Sequence, residues 1–198
     1  MFRLTRPSQK EKTDFLAGAQ RAALSSPSLL TLNDGALGTP PKGFAHDFSR
    51  TEIGRGPEVF AAARTCLKSW EQFDLEWVQL AYAAPSVFPG ELVAVEAHTA
   101  FLWSISVNRI VEVVDTPTRF GFMYATTVLH VEEGQERFVV EFDEQSESVH
   151  YLIEAVSRPR HILARIGRPF SRAMQHRFTR DSHAAMKRCV ARQRRTSV

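Results

Sequence analysis

Residues 119–157 read RFGFMYATTVLHVEEGQERFVVEFDEQSESVHYLIEAVS and contain three segments in which apolar and polar residues alternate. The segments span 119–130, 135–143 and 149–157. A period of two is typical of strands that bury one face. Gly134 predicts a turn between the first two segments. Because the connections are short, we expect the three strands to pair as an antiparallel meander.

Further strands are predicted on the N-terminal side of this meander. Residues 92–101 and 104–114 alternate in the same way, and residues 77–82 form a short apolar run that ends before a proline. Residues 44–53 also suit an extended segment. Together these segments predict an antiparallel sheet of about 6–7 strands in an α+β protein.

Three helices are predicted around the sheet. Ser8 and Glu11 form a capping box that begins a helix over residues 8–24. Pro57 suits the first turn of a second helix, which ends near Phe73. The last helix spans residues 169–192 and would be about 36 Å long at 1.5 Å per residue. A short helical piece at residues 162–166 precedes it.

The domain organisation follows from these elements. At 198 residues the chain is expected to form one domain. Residues 1–43 are a helix and a Gly- and Pro-rich loop, residues 44–192 are the single α+β domain, and residues 193–198 are a disordered tail. No apolar stretch is long enough to span a bilayer and no secretion signal is present, so we expect a cytoplasmic protein. Cys66 and Cys189 are accordingly expected to be reduced thiols.

Charge is distributed unevenly along the chain. Residues 158–195 contain twelve basic residues and one acidic residue, whereas the rest of the chain is net acidic. The basic helix could attract nucleic-acid phosphates or anionic lipid. Alternatively it could balance the acidic sheet within the same chain, which we favour because nucleic-acid recognition motifs are missing. A nucleic-acid partner is therefore not expected.

Several segments resemble known proteins. The order of a strand, a helix, a meander and a long final helix resembles the helix-grip fold of the Bet v 1/START-like (SRPBCC) superfamily. The sequence itself resembles the DUF1990 (UPF0548) family more closely still. The Gly-rich turn that this family has around residues 125–132 is absent here, although His130 is kept. The resemblance implies a curved sheet that grips the last helix and encloses a cavity, and it implies no particular activity. The segments that carry it are 54–56 (GRG), 70–77 (WEQFDLEW), 108–109 (NR), 120–122 (FGF), 134–138 (GQERF), 157–159 (SRP) and 177–182 (RFTRDS).

Arg109 is the most unusual residue of the predicted sheet. It alternates in phase with Val107 and Val111, which points its guanidinium inward. An unpaired guanidinium in a core costs several kcal/mol, so it would need a carboxylate, a wet cavity or an anionic ligand. Glu136 is in phase with inward Phe138 and could be its partner. Two alternatives stay open, namely a bulge that turns Arg109 to solvent and a buried structural ion pair.

Other candidate pocket residues are tyrosines, tryptophans and a histidine. Tyr124 and Tyr151 are in phase with apolar neighbours and need hydroxyl partners if buried. Trp77 and Trp103 are core residues or cavity lining. Histidine spacing fits no metal-ligand pattern, and no cofactor motif is present, so neither a metal nor a cofactor is predicted. His130 is instead a candidate acid or base.

Three functions are compatible with these features. The first is the binding of a small apolar or amphipathic molecule, with an anionic group against Arg109, in a cavity between the sheet and the last helix. The second is catalysis in the same cavity, with Glu136 or His130 as the acid or base. The third is an interaction through the basic helix with nucleic acid, membrane or an acidic partner.

Overall fold

A computed structural model describes residues 2–32, 39–82, 84–130, 132–160 and 168–196. Part of the predicted loop (33–38), the predicted helical piece at 162–166 and residues 197–198 lie outside these ranges. The strands are β1 Phe2–Arg3, β2 Ala45–Arg55, β3 Val78–Leu80, β4 Leu92–Thr99, β5 Leu102–Asp115, β6 Arg119–Thr126, β7 Glu132–Phe142 and β8 Ser148–Pro159. The helices are α1 Gln9–Ala19, α2 Pro57–Lys68, a 3₁₀ turn Glu71–Phe73 and α3 Arg168–Thr196.

The sheet is an antiparallel half-barrel, as predicted. Seven strands follow the order β2-β8-β7-β6-β5-β4-β3, and β1 pairs with β5. The strands from β3 to β8 are neighbours both in sequence and in space, so the predicted meander is confirmed. β2 closes the other edge by pairing with β8. The sheet curls towards α3, which gives the predicted helix-grip arrangement.

The helices begin where the sequence indicated. Ser8 and Glu11 form both hydrogen bonds of the capping box at the start of α1, and Pro57 is the first residue of α2. α3 extends to Thr196, so residues 193–196, predicted to be disordered, are helical. No helix in the described ranges combines the length and apolar character that a membrane span requires.

The turn predicted at Gly134 is wrong. β7 begins at Glu132, and Gly134 pairs with Ser157 of β8. A β-carbon at position 134 would collide with the carbonyl oxygen of Val156. Gly134 is therefore needed for the close approach of two strands, a role that glycine also has within sheets.

The convex face of the sheet is covered by the N-terminal residues. Ala19 of α1 packs on Ile105 and Val107 of β5. Leu30 and Leu32 pack with the apolar convex-face side chains of β6, β7 and β8. Both faces of the central strands are consequently buried, whereas an isolated meander would leave one face in water.

Two buried ion clusters lie under this cover. On β4, Glu96 is 2% exposed and binds Lys12 of α1 and, at 3.1 Å, Arg6. Glu96 is buried because α1 covers this face of β4. The second cluster joins Glu154 of β8 to Arg137 of β7, with an Nε–Oε2 distance of 2.7 Å.

The prediction that Cys66 and Cys189 are reduced thiols is wrong. They form a disulfide between α2 and α3, with Cα atoms 6.1 Å apart and a separation of 123 positions in sequence. Both cysteines are buried in the inner core where the two helices pack. Their separation in the chain gave no sign of this contact, because only the fold brings the helices together.

Candidate functional site

A cavity of about 1200 Å³ lies between the concave face of the sheet and α3. Its position follows from the size of the inward side chains. At one end of the sheet Phe122, Phe138 and Tyr151 fill the space up to α2 and the second half of α3. At the other end the inward residues are small, so the first half of α3 stands off from the strands. These small residues are Ser49, Ala97, Ser106, Thr126, Gly134, Ala155 and Ser157.

The cavity wall is largely apolar and carries a few polar groups. Val95 of β4, Ile153 of β8, and Met174 and Phe178 of α3 are apolar parts of the wall. Trp77 also lines it, and its indole donates to Asp181 at 3.0 Å. A mostly apolar pocket with few convergent polar groups is the usual form of a small-molecule site.

Glu136 and Tyr124 form the polar centre of the cavity. They are paired across β6 and β7, and the Tyr124 hydroxyl donates to a carboxylate oxygen of Glu136. The pKa of Glu136 is raised to about 7 by burial and by the nearby Glu132 and Asp47 carboxylates, against the lowering effect of the Tyr124 hydrogen bond. Burial also raises the pKa of Tyr124 well above its usual value. Glu136 therefore keeps its proton to a higher pH than an exposed carboxyl does.

Two histidines of the cavity, His130 and His183, are neutral at pH 7. His130 lines the cavity, and its Nδ1 accepts a hydrogen bond from the Glu132 N–H at 2.9 Å. His183 of α3 is hydrogen-bonded to Ser49 at 2.9 Å. Burial lowers the pKa of both imidazoles to about 4. Neither supplies a positive charge to the cavity at neutral pH.

Comparison with known proteins places this arrangement in a family. Residues 30–185 match the sequence profile described as "Domain of unknown function (DUF1990)". The chain belongs to the DUF1990 family. A UPF0548 protein of Dictyostelium discoideum is 32% identical over 158 residues, which cover 74% of this chain and 73% of the relative. A UPF0548 protein of Deinococcus radiodurans is 26% identical over 191 residues, which cover 91% and 94% of the two chains.

Solved structures show the same fold. The Zhui aromatase/cyclase from Streptomyces sp. R1128 superposes with a TM-score of 0.53 at 10% sequence identity. The superposition covers 76% of this chain and 95% of that protein. At this identity the likeness concerns the fold alone. The helix-grip resemblance inferred from the DUF1990 sequence is therefore confirmed.

The structure brings together four of the seven predicted pocket residues. Trp77, Tyr124, His130 and Glu136 all line the cavity of the DUF1990 protein. Tyr151 lies instead in the filled core, where its hydroxyl is 3.0 Å from the Ser182 hydroxyl. Whether any of them binds a ligand stays a prediction.

The prediction that Arg109 points into the cavity is wrong. Its guanidinium lies on the convex face and donates to the carbonyl oxygens of Gly90 and Gln20, each at 3.0 Å. Ile105 and Val107 share that face because α1 covers it, so their alternation marked the opposite side of the sheet. A bulge between Ile110 and Glu112 then changes the phase of β5.

Trp103 is also on the convex face rather than in the cavity. It stacks on the imidazole of His98, with ring centroids 4.4 Å apart, and the Arg6 guanidinium lies 5.1 Å from its ring. The same phase error on β5 explains this prediction, because Trp103 alternates with Ile105.

Several polar cavity residues were not predicted. Asn108 lines the cavity because it has the opposite phase to Val107. Glu132 lines it because it is in phase with Glu136, but the turn assigned to Gly134 had cut the strand between them. Asp47 alternates with Ser49 on β2, a polar pattern that a search for buried apolar faces passes over.

In the part of the chain that the structure describes, no group of three or more histidine, cysteine or acidic side chains is arranged to hold a metal ion. The predicted absence of a metal and of a cofactor stays a prediction.

Arginines of α3 pair with carboxylates of the same chain. Arg192 binds Glu71 at 2.7 Å, and Arg172 binds Asp47. Arg177 contacts Asp181 at 3.4 Å on the helix itself. These contacts favour intramolecular charge balance over a nucleic-acid surface.

The raised pKa of Glu136 leads to a stability prediction. In the unfolded chain this carboxyl ionises near its usual pKa of 4.5, and in the folded DUF1990 protein near 7. Ionisation of Glu136 therefore lowers the free energy of unfolding. This destabilisation is absent below pH 4.5 and fully present above pH 7. Glu136→Gln should raise the free energy of unfolding by up to about 3 kcal/mol at pH 8 and leave it unchanged at pH 4.5.

Urea unfolding at the two pH values measures this effect. Glu141→Gln is the matched control, since Glu141 is on the same strand and pairs with Arg119 at the surface. An equal change at both pH values for Glu136→Gln would contradict the shifted pKa.

Proposed function

We propose that this protein binds a small apolar or amphipathic molecule in the cavity between the sheet and α3. The observation that carries the proposal is the cavity itself, about 1200 Å³ in a domain whose other inner half is tightly packed. Pockets that take drug-sized ligands measure roughly 300–1000 Å³. A cavity of this size lowers the stability of the fold relative to a filled core, because its wall lacks the packing contacts that a filled core would make.

The polar centre of the cavity supports the same proposal. Glu136 is a carboxyl whose burial opposes folding at neutral pH, and an apolar residue there would avoid that cost. Residues that lower stability and have shifted pKa values are typical of functional sites. The proposed ligand contacts are therefore Glu136, Tyr124, Trp77 and His130. Arg109 is not among them, because it lies on the other face of the sheet.

Filling the cavity should abolish binding without unfolding the protein. Ala97 and Ala155 both line the cavity, and Ala155 is paired with Glu136. Ala97→Phe combined with Ala155→Phe should weaken the binding of the neutral fluorescent probe N-phenyl-1-naphthylamine at least about tenfold, because the rings occupy the ligand space. Fluorescence titration measures the affinity, and urea unfolding checks that the variant is folded.

Ala61→Phe is the matched control, because Ala61 is exposed on α2. It should leave the affinity for the probe unchanged. Native mass spectrometry of the freshly purified protein should in addition detect a co-purifying molecule that is absent from the double variant. Equal probe binding by the double variant would contradict the proposal.

Catalysis in the same cavity is a second candidate function. The pKa of Glu136 near 7 favours it, because a general acid or base works best when its pKa is close to the working pH. The test is to incubate the co-purifying molecule with the wild-type protein and with Glu136→Gln. A change in its mass that requires Glu136 would support catalysis, and no change with either protein would leave binding as the function.

The cytoplasmic location predicted from the sequence stays a prediction, and the structure contains one feature that argues against it. The disulfide between Cys66 and Cys189 bears on it, since disulfides are rare in reducing compartments. Alkylation of free thiols at the moment of cell lysis distinguishes the two redox states. A cytoplasmic protein should be recovered with both cysteines alkylated, and a fully disulfide-bonded protein would contradict that location.

A further inference from the structure

Acidic and basic residues of the cavity lie at different depths, with carboxylates inside and arginines at the edge. The carboxylates of Glu132 and Glu136 lie on the inner face of β7, both strongly desolvated, and burial raises the pKa of each. The arginines of the lining, Arg160 and Arg180, are both exposed and already bonded. Arg160 donates to the Val128 carbonyl at 3.1 Å, and Arg180 pairs with Asp181 at 3.1 Å. The described interior thus carries the carboxylates of β7, and the arginines of the lining stand at its edge.

Glu136 has unused capacity to accept hydrogen bonds. A carboxylate can accept about four hydrogen bonds. Within the described residues, the hydroxyl of Tyr124 is the one donor bonded to Glu136. Buried polar groups are satisfied in native proteins, and a carboxylate with free lone pairs facing a cavity is complementary to a donor. His183, which is neutral at pH 7, adds no positive charge that could hold an anion.

We propose that the polar end of the bound molecule is a hydrogen-bond donor, with a primary ammonium group as its preferred form, placed against Glu136 while the apolar part contacts Phe178 and Val95. This inference rests on the proposed ligand-binding function and reverses the expectation of an anionic ligand. That expectation depended on an inward Arg109, and the guanidinium lies on the other side of the sheet. A carboxylate ligand would instead meet like charges at Glu132 and Glu136, which disfavours binding.

The test compares three molecules with one tail, namely dodecylamine, dodecanol and dodecanoate, below the concentrations at which they form micelles. Each competes with N-phenyl-1-naphthylamine at pH 7.5. We expect affinity to fall in the order amine, alcohol, carboxylate. Glu136→Gln should weaken dodecylamine about tenfold or more, because the charged hydrogen bond is lost, and change dodecanol less than about threefold.

Control variants make the outcome specific. Glu141→Gln removes a surface carboxylate from the same strand and should leave all three affinities unchanged. Equal affinities for the three molecules, tightest binding of dodecanoate, or an amine affinity that is unaffected by Glu136→Gln would each overturn the donor inference while leaving the cavity function standing. If neither the neutral probe nor any of the three molecules binds, the proposed function fails together with the inference.

Discussion

Replacing Glu154 by Leu should lower the free energy of unfolding by about 3–5 kcal/mol. Glu154 is fully buried on the convex face, where it binds Arg137, which is 1% exposed, and His46 at 2.7 Å. The guanidinium of Arg137 cannot lose its proton, so the substitution removes the Glu154 carboxylate from beside a buried cation. The penalty is the loss of this carboxylate from a buried charge rather than the net worth of the pair. Urea unfolding at pH 7 measures it.

A double variant separates these two quantities. Arg137→Met combined with Glu154→Leu removes both charges, and most of the lost stability should return, since apolar residues often replace buried ion pairs without loss. Glu52→Leu is the surface control, because Glu52 pairs with Arg55 in solvent, and it should cost at most about 1 kcal/mol. A double variant as unstable as Glu154→Leu alone would show that shape, and not charge, sets the cost.

Reducing the disulfide should lower the free energy of unfolding by about 2–4 kcal/mol. The bond closes a loop between residues 123 positions apart, and a cross-link over such a loop strongly restricts the unfolded chain. Urea unfolding of the wild-type protein with and without dithiothreitol gives the difference. Cys66→Ala combined with Cys189→Ala should unfold at the lower midpoint under both conditions.

The outcome has two clear forms. A wild-type midpoint that does not respond to dithiothreitol, together with two free thiols by mass spectrometry, would contradict the bond. A midpoint that falls as expected makes the stability of the domain dependent on the redox state of its surroundings. The bond joins α2 to α3, and α3 forms one wall of the cavity, so the same comparison should be made for probe binding.

The sequence was informative about the candidate site on β6 and β7, where aromatic side chains mark the inward face of each strand. Tyr124 and Glu136 alternate with the apolar residues of β6 and β7, and both line the cavity as their phase predicted. No apolar pattern marked site residues such as Asp47 and Asn108, because they alternate with small or polar residues on the inward face. Cavity walls are built from such positions. A search of the sequence for buried apolar residues therefore misses part of the residues that line a pocket.

The order of secondary-structure elements, the meander and the long terminal helix were determined by the sequence itself, through alternation, capping residues and short connections. That the sheet grips this helix was implied by the family resemblance. The orientation of Arg109 and Trp103 was decided by tertiary structure, because alternation separates the two faces of a strand without saying which face is concave. On β5 both faces are buried, and the bulge after Ile110 changes the phase. The pairing of Cys66 with Cys189 was likewise decided in three dimensions, since a contact between residues 123 apart exists only after the helices have packed.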